Sequence, residues 1–198
     1  MTHELTPAVF LDRDGTINEQ MGYINHISRF HLLPEAAAGI RLLNEAQVPV
    51  VVVSNQSGLA RGYFPPSLLD EVHALMHEQL AQAGAHVDAV YYCPHHPEAV
   101  QQEFRAACDC RKPKPGMLRR AAADMGLDLR RSFVVGDRWS DLKCAVGVGA
   151  TPVLVLTGYG RGDLAWIGPQ QQVQPTFVAE NLLAAARWIL QQLATAQR

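Results

Sequence analysis

Val9-Phe-Leu-Asp-Arg-Asp-Gly-Thr-Ile17 begins as an unbroken apolar run and ends in two acids on a tight turn. With Ala8 the run makes a strand, Ala8–Leu11, and its lack of alternation fits a strand covered on both faces of a parallel sheet. The pattern repeats outward. Pro49–Val53, Val87–Tyr92, Ser132–Val135 and Pro152–Leu156 read as further strands, with a short one near Phe177. Apolar residues at helical spacing predict helices from Pro34 to Ala46, from a Ser67 cap to Gly84, and from Pro115 to Met125. Two more are predicted from Ser140 to Val148 and from Asn181 to Ala194. Strands alternating with helices define an α/β class, a Rossmann-like parallel sheet with helices on both faces and right-handed crossovers. Such sheets bind ligands at the carboxyl ends of their strands.

The chain has 198 residues, of which 48% are hydrophobic and 18% charged, enough for one domain spanning 1–198. Between Asp14 and Ser54, and between Ser54 and Lys112, there is no room for a separate cap domain, so short loops must shape any pocket. A net charge of −2 supplies no global field for nucleic acid or anionic lipid. Met1–Pro7 has neither the basic flank nor the apolar stretch of a signal peptide, and no apolar run reaches the roughly 18 residues of a membrane span. The expected address is the cytosol.

The strand-end rule directs attention to five places. Asp12 ends the first strand, and Asp14 follows in the loop closed by Gly15 and Thr16. Ser54 and Asn55 end the second strand, Arg111 and Lys112 precede the helix that begins at Pro115, and Asp137 ends the fourth strand. Carboxylates, a hydroxyl, an amide and basic side chains on one rim suit phosphoryl transfer. Asp12 is the candidate nucleophile and Asp14 the candidate general acid and base. Ser54 and Lys112 would hold the equatorial oxygens where charge builds. A dianionic ester repels a carboxylate, so Mg²⁺ is expected on Asp12, Asp137 and the backbone carbonyl of Asp14. Asp141 lies one turn into the next helix, either near the metal waters or favoured by the helix dipole. Gln20, Gly22 and Tyr23, beside Asp14, are candidate sugar contacts, as are Ser57 and Arg61 beyond the second strand. Thr157–Gly162 reads as a flexible crossover that could touch substrate.

Three of the four cysteines cluster. Cys93-Pro-His95 and Cys108-Asp-Cys110 flank an inserted loop, and C-x-H plus C-x-C makes a closed four-ligand set of the kind Zn²⁺ favours. A metal would supply the constraint such a loop otherwise lacks. His95 is preferred to His96 as the ligand, and Cys144 reads as a small core residue. His73 and His77 stand four apart on a predicted helix without the acid of a zincin motif, and read as a solvated face.

Asp12-Arg-Asp-Gly-Thr, Ser54-Asn-Gln-Ser-Gly-Leu-Ala-Arg-Gly62, Cys110-Arg-Lys-Pro-Lys-Pro-Gly-Met117 and Gly136-Asp-Arg-Trp-Ser-Asp141 resemble the haloacid dehalogenase superfamily. Within it they look most like the D-glycero-D-manno-heptose-1,7-bisphosphate 7-phosphatase family, over Val9 to Gly158. The resemblance implies removal of a C7 phosphate from a sugar bisphosphate, with the C1 phosphate kept for nucleotide-sugar synthesis, by a small cytosolic monomer. It matches Asp12 and Asp14 to the catalytic pair, Asp137 to the magnesium aspartate, and Arg111 with Lys112 to a basic pair that contacts substrate. It favours Lys112 over Lys114 for the phosphoryl role and agrees with a structural zinc loop. Arg138 stands where some relatives carry lysine, within reach of a second phosphate. A histidinol-phosphate phosphatase would share the motifs and the loop, but its amine substrate would be repelled by Arg111 and Arg138. A zinc-loop binding module without turnover and a phosphorylatable aspartate domain are the readings from other classes.

Overall fold

The computed structural model describes residues 5–196. Residues 1–4, part of the stretch read as lacking a signal peptide, and residues 197–198 lie outside the described range. The elements run β1 (Val9–Leu11), α1 (Ala36–Glu45), β2 (Val50–Asn55), α2 (Ser57–Ala60), α3 (Pro66–Gln82) and β3 (Ala89–Cys93). They continue as α4 (Gly116–Met125), β4 (Phe133–Gly136), α5 (Trp139–Val146), β5 (Thr151–Val155), α6 (Gly160–Gly162), β6 (Phe177–Ala179) and α7 (Leu182–Ala196). The strands form one parallel sheet of order β3-β2-β1-β4-β5-β6.

Side-chain alternation assigns the apolar residues of β1, β2 and β4 to two layers. Val9, Leu11, Val50, Val52 and Val135 pack with Ile40 and Leu43 of α1, Val72 and Met76 of α3, and Ile189 of α7. Phe10, Val51, Val53 and Val134 pack on the other side with Met117 and Leu118 of α4 and with Cys144 of α5. Both faces are covered, which is why these strands show no polar alternation. Each buried side chain contributes about 1.5–3 kcal/mol before the entropy of ordering is subtracted.

Register then sets the rim. Leu11 pairs with Val52 and with Val135, so Asp12 emerges between the ends of β2 and β4. The topology reverses at β1, one of the two central strands, from which β2 and β4 lead away in opposite directions.

Three local expectations need correction. Ser67 does not cap α3: Pro66 is its first residue, after an extended Pro65, and no side chain caps it. Proline suits that place because its fixed φ is already helical and it has no N–H to leave unpaired. The single turn α2 was not expected. Thr157–Gly162 is no plain crossover either, since α6 continues into a π-helical turn, Asp163–Ile167. Asp163-Leu-Ala-Trp-Ile167 carries no breaker, so the glycines before it end the loop without ending the helical path.

Candidate active site

Asp12 sits at the floor of an open cleft of about 500 Å³. Its Oδ1 is 2.8 Å from Lys112 Nζ, and it accepts the Arg13 N–H at 2.8 Å. Lys112 is buried, with Nζ also 2.6 Å from Asp141 Oδ1 and donating to Val53 O at 2.7 Å. Burial alone would favour a neutral amine, but Asp12 and Asp141 hold its ammonium well above the usual lysine range. Asn55 fixes the lysine backbone from across the sheet, accepting the Lys112 N–H at 3.0 Å and donating to its carbonyl at 3.1 Å. Lys114, the rival by sequence, reaches Cys108 O at 2.9 Å instead. Asp141 combines two tasks: besides Lys112, it accepts the Arg138 N–H at 3.2 Å at the start of α5.

Asp14 points the other way. Arg13 grips both its oxygens, at 2.9 and 2.8 Å, and Asn18 Nδ2 donates to Oδ1 at 3.0 Å. Gln56 Nε2 donates to Asp14 Oδ2 at 2.9 Å and to Ser54 Oγ at 2.8 Å, joining the second acid to the rim hydroxyl. Burial pushes the Asp14 carboxyl up, yet Arg13 and these donors outweigh it and hold it below the usual range. Arg13, Asn18 and Gln56 were not singled out from sequence. Their signal is adjacency to motif residues, but only the fold brings Gln56 back onto Asp14.

Asp137 lies between two residues that lack a Cβ. A side chain on Gly15 (φ 93°) or on Gly158 (φ 53°) would collide with its carboxylate, and both backbones are left-handed. Oδ2 accepts the Tyr159 N–H at 2.7 Å, while Oδ1 is buried and accepts no hydrogen bond. Asp12, Asp137 and Asp141 offer oxygens within 4.8 Å of one another. Three carboxylates against one ammonium leave two negative charges, which a divalent cation would balance. Burial, with Asp12 and Asp141 beside it, pushes Asp137 up to about 8, and burial pushes Asp12 up to about 6. The oxygen donor set, the orphaned Oδ1 and the charge deficit all fit Mg²⁺. The Asp14 carboxylate stays outside this group; its carbonyl accepts Gln20 Nε2 at 3.3 Å.

The remaining candidates line the cleft: Gln20, Gly22, Tyr23, Ser54, Asn55, Ser57, Arg61, Arg111 and Arg138. Tyr23 packs edge-on against Tyr63, with centroids 4.8 Å apart. Arg61 Nη2 is 3.1 Å from His96 Nε2, and burial together with Arg61 and Arg111 keeps that imidazole below its usual pKa. Trp139, Ser140, Tyr159, Asp163 and Ile167 also line it. Tyr159 belongs to the Thr157–Gly162 segment expected to be able to touch substrate; Trp139 and Ser140 follow β4 beside Asp137, and Asp163 and Ile167 lie in the helical turn after β5, where no contact was expected.

Cys93, His95, Cys108 and Cys110 converge beside the cleft. Cys93 Sγ lies 3.5 Å from Cys108 Sγ and 3.1 Å from Cys110 Sγ, and His95 Nδ1 is 3.3 Å from Cys110 Sγ. A tetrahedron with bonds of about 2.3 Å has edges of about 3.8 Å, so this thiol and imidazole set needs to spread by only a few tenths of an ångström to fit Zn²⁺. His73 and His77 join no metal-sized group among the described residues, but His73 is not on a solvated face as expected: its Nε2 is buried, its ring lies 5.8 Å from that of Tyr92, and burial pushes its pKa down to about 4.

Fold and site together define a haloacid-dehalogenase-like hydrolase, and the family model described as HAD-hydrolase-like matches residues 109–185. The D-glycero-beta-D-manno-heptose-1,7-bisphosphate 7-phosphatase of Escherichia coli strain K12 is 41% identical over 95% of this chain and 90% of its own length. The D-glycero-D-manno-heptose-1,7-bisphosphate 7-phosphatase of Thermosynechococcus vestitus is 44% identical over 95% and 97%. The chain belongs to the D-glycero-D-manno-heptose-1,7-bisphosphate 7-phosphatase family. The D,D-heptose 1,7-bisphosphate phosphatase of B. bronchiseptica, solved with magnesium and phosphate, superposes with a TM-score of 0.84 at 39% identity, covering 94% of this chain and 99% of that one. No described helix is long and apolar enough to cross a membrane.

Proposed function

We propose that the chain hydrolyses the C7 phosphate of D-glycero-D-manno-heptose 1,7-bisphosphate and leaves the C1 phosphate in place. The observation that carries this is Asp12 on a buried lysine at the floor of a cleft whose rim holds Arg61, Arg111 and Arg138. One phosphate would be attacked at the floor, and a second anion would be held at the rim. The names of the similar phosphatases support the same substrate.

In this reading Asp12 attacks phosphorus and forms an aspartyl-phosphate. Lys112 and the Ser54 hydroxyl hold the equatorial oxygens, already oriented by Asn55 and Gln56. Asp14 protonates the leaving alkoxide and later takes a proton from water. Arg13 keeps it ionised at rest, but an incoming phosphate adds negative charge nearby and raises its proton affinity. Magnesium, bound by Asp12, Asp137 and the Asp14 carbonyl, would screen the ester charge as the carboxylate approaches. Gln20, Gly22, Tyr23, Asn55 and Ser57 contact the sugar or its phosphate. Zinc on Cys93, His95, Cys108 and Cys110 is structural, and the enzyme acts as a cytosolic monomer.

The test is phosphate release with Mg²⁺ from both anomers of the bisphosphate beside histidinol phosphate, with NMR to identify the surviving phosphate. Release from C7 in preference to histidinol phosphate is expected. Preference for histidinol phosphate would overturn the substrate and leave the Asp12 chemistry standing.

A further inference from the structure

Arg138 enters the cleft at the start of α5 with its side chain 51% exposed. An arginine this open samples many rotamers, and ordering it at binding has an entropic cost. Here two groups already hold it. Its guanidinium carbon lies 4.6 Å from the centroid of the Tyr159 ring, and Nε is 4.0 Å from Asp163 Oδ2. Neither terminal nitrogen has a described hydrogen-bond partner. The face is occupied and the inner edge is directed at a carboxylate, so the outer fork remains for an anion.

The holders are themselves fixed. Tyr159 donates its backbone N–H to Asp137 at 2.7 Å, so the ring is registered to the carboxylate at the floor. Asp163 is buried, accepts the Trp139 N–H at 3.1 Å and donates its own N–H to Tyr159 O at 2.8 Å. One short helical turn therefore links the floor of the cleft to the fork on its rim.

We propose that Tyr159 is a positioning residue for bisphosphate recognition, holding the Arg138 guanidinium over its ring so that the fork meets the phosphate that is kept. This rests on the bisphosphate reading above. The ring acts through Arg138 rather than on the sugar. Tyr159→Leu removes the π face but keeps the backbone bond to Asp137, and Tyr159→Phe keeps both. Tyr159 is 43% exposed, so neither replacement leaves a cavity.

The experiment measures KM and kcat for the heptose bisphosphate and for p-nitrophenyl phosphate. It uses wild type, Tyr159→Phe, Tyr159→Leu, Arg138→Gln and the Arg138→Gln/Tyr159→Leu double variant. Tyr159→Leu should raise the bisphosphate KM roughly fivefold more than the monoester KM, and Tyr159→Phe should stay near wild type. In the Arg138→Gln background the leucine should add no further loss. An equal loss in that background would place the ring on the substrate and overturn the proposal. So would equal KM changes for both substrates. A wild-type enzyme with no preference for the bisphosphate overturns this proposal and the bisphosphate reading together; a wild-type preference with either of the other results overturns this one alone.

Discussion

Withholding Mg²⁺ should make the folded protein lose stability as pH rises, the reverse of what paired surface carboxylates produce. Asp137 has a folded pKa of about 8 against an ordinary value of 3.8, and Asp12 one of about 6. Between those values the native state holds protons that the unfolded chain has released, so stability falls with pH. The slope is up to about 1.4 kcal/mol per pH unit for each group. From about pH 5 to about pH 7, Asp137 costs roughly 3 kcal/mol, and Asp12 adds about 1 kcal/mol before it ionises. Asp14 does not cancel this, because its lowered pKa stabilises the fold above the ordinary carboxyl value and loses that effect only at more acid pH. The assay is urea unfolding at a series of pH values, with zinc retained, in Mg²⁺-free buffer and in saturating Mg²⁺. His73, pushed down to about 4 by burial, gains roughly 2 kcal/mol over the same window, so the Mg²⁺-free curve should descend by a net of roughly 2 kcal/mol and the Mg²⁺ curve should rise. Asp137→Asn should remove the descent. A flat or rising Mg²⁺-free curve, or an unchanged slope in Asp137→Asn, would refute the reasoning.

Asp12→Asn should lower kcat by roughly a thousandfold or more while zinc content, measured by metal analysis, stays at wild type. Lys112→Gln strands two buried carboxylates, and should cost roughly a hundredfold in kcat along with a lower melting temperature; Lys114→Gln, on a carbonyl away from Asp12, should change kcat less than about twofold. Cys110→Ser should release zinc and destabilise the fold by roughly 3 kcal/mol or more in denaturant melts.

The sheet could be read from sequence because its strands are buried on both faces and therefore carry unbroken apolar runs. Asp12, Ser54 and Asp137 could be placed on one rim because a parallel sheet brings successive strand ends together whatever the loops do. Contacts that depend on side-chain direction were out of reach. Asn55 and Lys112 are 57 residues apart, and Gln56 and Asp14 are 42 apart, and nothing in either segment announces the partner. Tyr159 falls in a segment that could be read as touching substrate, but its helical setting and the part played by Asp163 are not legible. Glycines at 158, 160 and 162 resemble a loop, whereas the first makes room for the Asp137 carboxylate and the chain goes on as helix. The Ser67 cap failed because a polar residue at a helix start was weighed above two prolines.

The thiol cluster bears on chemistry through the backbone that surrounds it. Cys93 O accepts the Gln56 N–H at 2.8 Å, and Gln56 carries the amide that joins Asp14 to Ser54. At the other end of the loop, Cys110 is followed by Arg111, whose Nη1 donates to His95 O at 3.4 Å, and by Lys112, gripped by Asn55. Both ends of the loop that carries the thiol cluster thus run directly into groups around Asp12 and Asp14. Cys110 is two residues from Lys112, so movement at the thiol is passed within two residues to the ammonium on Asp12. A displacement of about 1 Å at such a position can cost on the order of a hundredfold in rate. On the proposed mechanism, the loop holds in place the ammonium beside Asp12 and the amide between Asp14 and Ser54, so removing a metal from the thiol cluster should lower kcat through misplaced groups even while the sheet stays folded.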